Sequence, residues 1–345
     1  MSDHTKHSVG ASKAPLRKIC CTILLVLFLG AFYASGFYIH GLLSTAKESI
    51  QTTYKKTKVK KVRNVSSVLK QKKPISILLL GTDTGDLGRS DTGRTDTMIV
   101  ATINTTTNRT TLTSIPRDTT MKIPGSSDTY DKINSAYTIG GTSMAIKAVQ
   151  KLLDIPIDYY VLINMSGLKQ IVDAVGGITI TPTLTFQYED ANVVKGQKVT
   201  LNGKQALSYA RMRHDDPLND YGRQKRQRQV IQAIAKKAMN FSSLSKYDSI
   251  LNTLKSNMQT DLSYDDIWAL ETNYKDSAKS ISSDYLHCKN GWYDEASLQI
   301  ATSDERQRIS NKIRAELELN DSTSTFEDDT GIADIAISTA QSIGQ

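Results

Sequence analysis

Residues 74–83 read PISILLLGTD. Pro74 opens a short apolar run that stops at Gly81, the pattern of a strand buried on both faces that leads into a functional loop. Outward from it, TMIVATIN (97–104) and RTTLTSIPRD (109–118) are rich in β-branched residues and flank the turn-like NTTTN, which predicts a hairpin. GTSMAIKAVQKLLD (141–154) has helical spacing and YYVLIN (159–164) reads as a strand. MSGLKQIVDAV (165–175) reads as a helix stopped by Gly176 and Gly177 before the strand ITIT (178–181). A further strand, ALSYARMR (206–213), and a long helix from about Gly222 to Asn240 follow. Strands alternating with helices at this spacing predict an α/β fold: a central mixed β-sheet flanked by helices on both faces.

The remainder of the chain is read around that core. Ile19 to Ile39 carries no charge and is long enough to cross about 30 Å of hydrocarbon. We read 19–40 as a transmembrane helix, with a cleaved signal peptide as the rival because Ala34, Ser35 and Gly36 are small. Residues 1–18 then form a cytoplasmic tail, and the large domain lies on the extracytoplasmic side of the cell membrane as a single-pass protein. Residues 41–73, with KKTKVKKVR at their centre, read as a basic solvated stalk along an anionic surface. Lys246 to Leu319 reads as mostly helical with no linker, which gives one domain over 74–319. The acidic stretch 320–345 is expected to be disordered. Cys20 and Cys21 fall in the apolar segment and Cys288 is alone beyond it, so no disulfide is expected in the domain.

A net charge of +8 invites an anionic partner: nucleic acid, a membrane surface or a phosphorylated substrate. Several motifs are excluded first. GRSDTGRT (88–95) looks like a phosphate loop, but a strand-like run follows where a helix is needed. The Asp-Thr-Gly triplets at Asp83 and Asp91 lie too close in sequence to come from two protease lobes. Only His214 and His287 lie beyond the membrane segment, which leaves little for a catalytic triad or a zinc site, so any metal should be hard and oxygen-liganded.

Asp83 ends the buried strand and Asp96 precedes the next one, at the strand edge where open α/β sheets bind ligands. They read either as a pair of ligands for Mg²⁺ or as turn-forming aspartates. Arg211 and Arg213 are two apart on the expected strand and so share a face. In the helix that follows, Arg223 and Gln227 point the same way as Val230, Ile231 and Ile234, with Arg226 at the edge and Lys225 and Arg228 pointing to solvent. An inward guanidinium needs a bound anion or a buried carboxylate. Arginine forks match phosphate oxygens, which favours a phosphorylated ligand over nucleic acid.

ILLLGTD, GRTDTMIVATIN, SIPRDT, KIN at Lys132, VDAVGGITI, LNGKQALSYARMR and DYGRQKRQ stand in the order that resembles the LytR-CpsA-Psr family, from Pro74 to about Asn240. The resemblance implies a membrane-anchored enzyme of Gram-positive cells. Such an enzyme moves a glycopolymer, wall teichoic acid or capsular polysaccharide, from a polyprenyl-pyrophosphate carrier to a peptidoglycan acceptor through a phosphodiester, with Mg²⁺ or Mn²⁺. It implies Asp83 and Asp96 as metal ligands and Arg117, Arg211, Arg213 and Arg223 as the pyrophosphate grip. Arg94, Lys132, Arg226 and Gln227 match further blocks, and Asp118 is either a base or a salt-bridge partner. Some members carry arginine directly after the first aspartate, where this chain has Thr84. A lipid-pyrophosphate hydrolase using the same residues, and a DNA-binding regulator, stand as alternatives.

Overall fold

The computed structural model of the chain describes residues 53–84, 93–125, 130–213, 215–238, 254, 256–293 and 296–326. The apolar segment at 19–40 and the tail before it lie outside these residues, and among the described ones no helix is long and apolar enough to cross a membrane.

PISILLLGTD supplies β1 (Ile75–Thr82), which is buried along almost its whole length. β2 (Thr95–Asn104) and β3 (Arg109–Ser114) form the antiparallel hairpin expected beside it, and β4 (Thr120–Lys122) and β5 (Tyr130–Lys132) pair with each other outside the central sheet. On the other side β6 (Tyr159–Asn164) runs parallel to β1. The edges are β11 (Met258–Thr260), antiparallel to β6, and β12 (Ile281–Tyr285), parallel to β3. The sheet order is β11-β6-β1-β2-β3-β12, a mixed sheet.

The pleat divides β1 between two cores. Leu78 and Leu80, with Met98 and Val100, turn to one side, where α2 (Ser135–Leu153) and α7 (Ser303–Glu316) cover them through Ile146, Val149, Ile309 and Ile313. Ile77 and Leu79, with Ile99 and Ala101, turn to the other, and there α1 (Val65–Lys70) and α6 (Tyr264–Tyr274) cover part of the face. Fully burying each such side chain contributes about 1.5–3 kcal/mol, so both faces need helices.

A small lobe stands over the rest of that second face. It contains α3 (Met165–Ala174), α4 (Gly203–Arg211) and α5 (Asn219–Ala238). Two antiparallel strand pairs complete it: β7 (Ile178–Ile180) with β10 (Val199–Leu201), and between them in sequence the tight hairpin of β8 (Phe186–Tyr188) and β9 (Ala191–Val193). The lobe has its own core of Val172, Ile178, Phe186, Tyr209 and Val230. α5 spans the gap, with Val230 in the lobe core and Ile231 packed toward the sheet. The strand expected at ITIT is therefore a lobe strand and not a member of the central sheet.

Four expectations are corrected. ALSYARMR is mostly helix, because Asn202 and Gln205 close a capping box ahead of it and Ala206, Tyr209 and Ala210 give a buried helical face. The described part of the segment after Lys246 is not mostly helical: Ile281 to Tyr285 becomes a strand by pairing with the open edge of β3, and β13 (Lys289–Tyr293) pairs antiparallel with β14 (Ala296–Ile300). The described part of the basic stalk, 53–73, is docked on the domain. Lys61 Nζ reaches Asp261 at 2.6 Å, and Arg63 makes a two-pronged ion pair with buried Asp158. The described start of the acidic tail is also held, with Ser322 bonded to Asp154 and the Arg306 guanidinium over the Phe326 ring.

Candidate functional site

β1 and β2 part on a break in register. Gly81 faces Thr97 but Thr82 faces Thr95, so Asp96 is an extra residue on β2. Such a bulge re-aims a side chain, and here Asp96 reaches the cavity that Asp83 enters from the end of β1. The chain returns to β2 through Gly93 at φ +61°, where a Cβ would come within 2.7 Å of Asp83 Oδ1. Thr138 Oγ1, in α2, donates to the Gly93 carbonyl at 2.6 Å and fixes that approach.

The cavity holds about 520 Å³, within the usual range for ligand sites. Its apolar walls are Leu79, Val161 and Ile163 of the sheet and Leu168, Ile171, Ile231 and Ile234 of α3 and α5. Asp83, Asp96, Arg211, Arg213, Arg223 and Gln227 also line it. From Arg223 to Ala235 α5 advances about 18 Å, which separates the charged end from the apolar body. The helix face deduced from the sequence, Arg223 and Gln227 in line with Val230, Ile231 and Ile234, is the face that lines the cavity.

Arg223 is 8% exposed, with Nη2 at 2.5 Å from Asp220 Oδ1 and no hydrogen-bond partner at Nε among the described residues. Burial above all, and the neighbouring Arg117 and Arg213, push its pKa down, and Asp220 and Asp96 offset this only in part. An anion in the cavity would relieve that charge. Arg211 is the last residue of α4 rather than a strand residue, and Arg213 follows across buried Met212. Both still line the cavity, because the helix end brings them there and not because they alternate along a strand. Arg117 Nη1 donates to Asp96 Oδ1 at 2.6 Å. Burial alone would lower the Arg117 pKa, but Asp96 and Asp118 raise it overall.

The sequence model of the LytR_cpsA_psr family matches residues 37–315. The chain belongs to this family. It is 42% identical over 295 residues to the polyisoprenyl-teichoic acid–peptidoglycan teichoic acid transferase TagU of Enterococcus faecalis, covering 86% of this chain and 95% of that protein. A solved Streptococcus agalactiae protein aligns with TM-score 0.71 and 40% identity over 80% of this chain and 98% of that one. TagT bound to LI-WTA aligns with TM-score 0.61 and 27% identity over 72% of this chain and 92% of that one.

Not every LytR-CpsA-Psr block residue reaches the cavity in this chain. Arg117, Asp118 and Lys132 stand behind Asp96: Arg117 Nε lies 3.7 Å from Asp118, and Lys132 Nζ lies 3.2 Å from the same carboxylate. They form an alternating charged row, and none of the three is in the cavity wall. Arg94 is exposed just before β2 and is also outside the wall. Arg226 is 2% exposed and turned into the lobe. It pairs with Asp216, donates to the Met212 carbonyl and to the Tyr209 carbonyl at 3.1 Å, and lies over the Phe186 ring. Gly222 makes this possible, since a Cβ there would meet Asp216 Oδ2 at 1.9 Å. Arg226 is thus a lobe residue, contrary to its placement beside the anion grip. Lys225 is exposed as expected, but Arg228 is buried against Ser114 and Tyr285, contrary to expectation.

The sequence reading missed Asp220, whose spacing of three from Arg223 was a usable signal. It also missed Glu189 and Tyr188 of the β8–β9 hairpin, for which no local pattern exists. Asp83 and Asp96 are hard oxygen donors of the kind Mg²⁺ or Mn²⁺ accepts, with water and phosphate oxygens completing the shell. Among the described residues no group of three or more His, Cys, Asp or Glu side chains is placed to hold a metal ion.

Proposed function

We propose that the protein is a transferase that moves a glycopolymer from a polyprenyl-pyrophosphate carrier to a peptidoglycan sugar hydroxyl, with wall teichoic acid, named for its relatives, as the favoured polymer. The observation that carries this reading is one cavity whose apolar body ends in three arginines and two carboxylates. A polyprenyl pyrophosphate has the same two-part chemistry: a long apolar tail joined to a concentrated anionic head. A duplex has no apolar tail, and a wholly solvated basic patch would not need a buried Arg223.

The chemistry follows from those parts. Arg211, Arg213 and Arg223 hold the pyrophosphate oxygens and stabilise the charge that grows on them as the transition state forms. An acceptor hydroxyl attacks the sugar-linked phosphorus, the bond from that phosphorus to the bridging oxygen breaks, and polyprenyl monophosphate departs. The hydroxyl proton leaves to water or to a phosphate oxygen. Asp118, held between Arg117 and Lys132, steadies Arg117, which in turn steadies Asp96. Mg²⁺ or Mn²⁺ held by Asp83 and Asp96 would neutralise further charge on the pyrophosphate. The apolar run at 19–40 would keep the domain beside the membrane that carries the lipid.

The test is a reconstitution of the full-length protein in detergent with lipid-pyrophosphate-linked glycopolymer and peptidoglycan. Covalent transfer with release of polyprenyl monophosphate is expected, lost on chelation and restored by Mg²⁺ or Mn²⁺. Phosphate release at the same rate with and without acceptor, and no linked product, would establish hydrolysis instead.

A further inference from the structure

Arg211 is not held by its own helix alone. Its Nη1 donates to both oxygens of Glu189, at 3.1 and 3.2 Å. Glu189 Oε2 also accepts from Ser208 Oγ at 3.1 Å, and the Ser208 oxygen receives the Asp190 amide at 3.4 Å. Ser208 and Arg211 are three residues apart on α4 and share a face. Two side chains of one helix therefore clip the turn of the β8–β9 hairpin. Tyr188, the residue before Glu189, lines the cavity.

The backbone gives an independent sign. Glu189 sits at φ +48°, a left-handed conformation that glycine, asparagine or aspartate adopts more readily. A glutamate kept there, with both oxygens on one guanidinium, points to a use for its carboxylate. Glu189 engages only Nη1, and among the described residues no acceptor meets Arg211 Nε or Nη2. The second edge of the fork is left for a phosphate.

We propose that Glu189 is a positioning residue: it fixes Arg211 at the charged end of the cavity with the Nε and Nη2 edge turned to the pyrophosphate. Because Tyr188 belongs to the same hairpin, the placement of this arginine is tied to the cavity wall. The inference rests on the transferase reading above.

The experiment uses full-length protein carrying Glu189→Ala, Glu189→Gln, Glu189→Asn, Arg211→Ala and the Glu189→Ala/Arg211→Ala pair. It measures kcat and KM for the lipid-linked glycopolymer, affinity for inorganic pyrophosphate, and melting temperature. Glu189→Ala should lower kcat/KM by about tenfold to a hundredfold, the scale of a misplaced active-site group, and Glu189→Gln should recover part of it. Glu189→Asn suits the left-handed turn but is too short to hold Arg211, so it should lose activity without losing melting temperature. In the Arg211→Ala background Glu189→Ala should add nothing. Wild-type rates in Glu189→Ala, or additive losses in the pair, overturn the proposal. A rate gain also overturns it, since Glu189 would then be competing with the phosphate. If the wild-type protein transfers nothing, the transferase reading fails by itself. Pyrophosphate affinity then decides the role of Glu189, the same loss in Glu189→Ala supporting it and an unchanged affinity overturning it.

Discussion

Arg223 and Arg226 lie three residues apart on one helix, and both are almost wholly buried, at 8% and 2% exposure. Their surroundings differ completely. Arg226 meets a carboxylate, two carbonyls and an aromatic face, all from this chain. Among the described residues Arg223 pairs directly with Asp220 alone and keeps an unpartnered Nε, and it sits near Arg117 and Arg213 as well as Asp96. A buried charge is stable when its own fold satisfies it and awaits a ligand when the fold does not. Burial alone therefore does not separate structural arginines from functional ones. The inventory of partners does.

The largest effect should come from breaking the satisfied site. Arg226→Ala strands Asp216 in the lobe, itself 8% exposed, and removes the cap on two carbonyls. The expected loss is about 3–5 kcal/mol of folding stability, the usual result of removing one partner from a buried ion pair. Urea unfolding of the variant checks this. A loss below about 1 kcal/mol would erase the distinction between the two arginines.

Arg223→Gln should do the reverse. Its charge is opposed by burial and by two neighbouring arginines, so the fold should keep its melting temperature within a few degrees of wild type. Transfer should fall by about 10²–10³, the scale of removing one donor from a preorganised charge-stabilising site. A variant that unfolds readily but retains full turnover per folded molecule would make Arg223 a second structural arginine.

The same contrast explains what the sequence made legible. The strands at 75–82, 95–104 and 109–114 were readable because their burial is continuous and their turns carry turn residues. The inward face of α5 was readable because helical period fixes direction. Direction does not name the neighbour, however. Period alone puts Arg226 at the edge of the inward face, beside the anion grip, and Arg228 in solvent, and each instead finds partners on segments distant in sequence or beyond a turn: Asp216 and Tyr209 for one, Ser114 and Tyr285 for the other. The bulge that turns Asp96 inward is a matter of register between two strands, which residue spacing within one strand does not encode. Arg211 reached the site through a helix end, after the capping residues Asn202 and Gln205 overrode the strand reading.

A third arginine on α5 supplies the finest discrimination and the smallest expected change. Arg228 is 5% exposed, donates to Ser114 Oγ at 2.5 Å, and lies 5.7 Å above the Tyr285 ring. It lines no part of the cavity and forms no salt bridge among the described residues. Burial, partly offset by Asp284 and Tyr285, pushes its pKa down to about 10. A folded pKa below the ordinary value means that the charged form is worse off in the fold than in water. Near neutral pH the group is protonated both folded and unfolded, so its charge opposes folding by an amount that does not vary with pH there. Arg228→Met, which keeps much of the volume and removes the charge, should be neutral or stabilising by about 1 kcal/mol, with transfer unchanged. Unfolding midpoints at pH 6, 7 and 8, measured beside transfer rates, give the answer. A loss above about 2 kcal/mol would mean that the Ser114 and Tyr285 contacts satisfy this arginine as fully as Asp216 satisfies Arg226. Partner chemistry weaker than a carboxylate would then be enough to make a buried arginine structural.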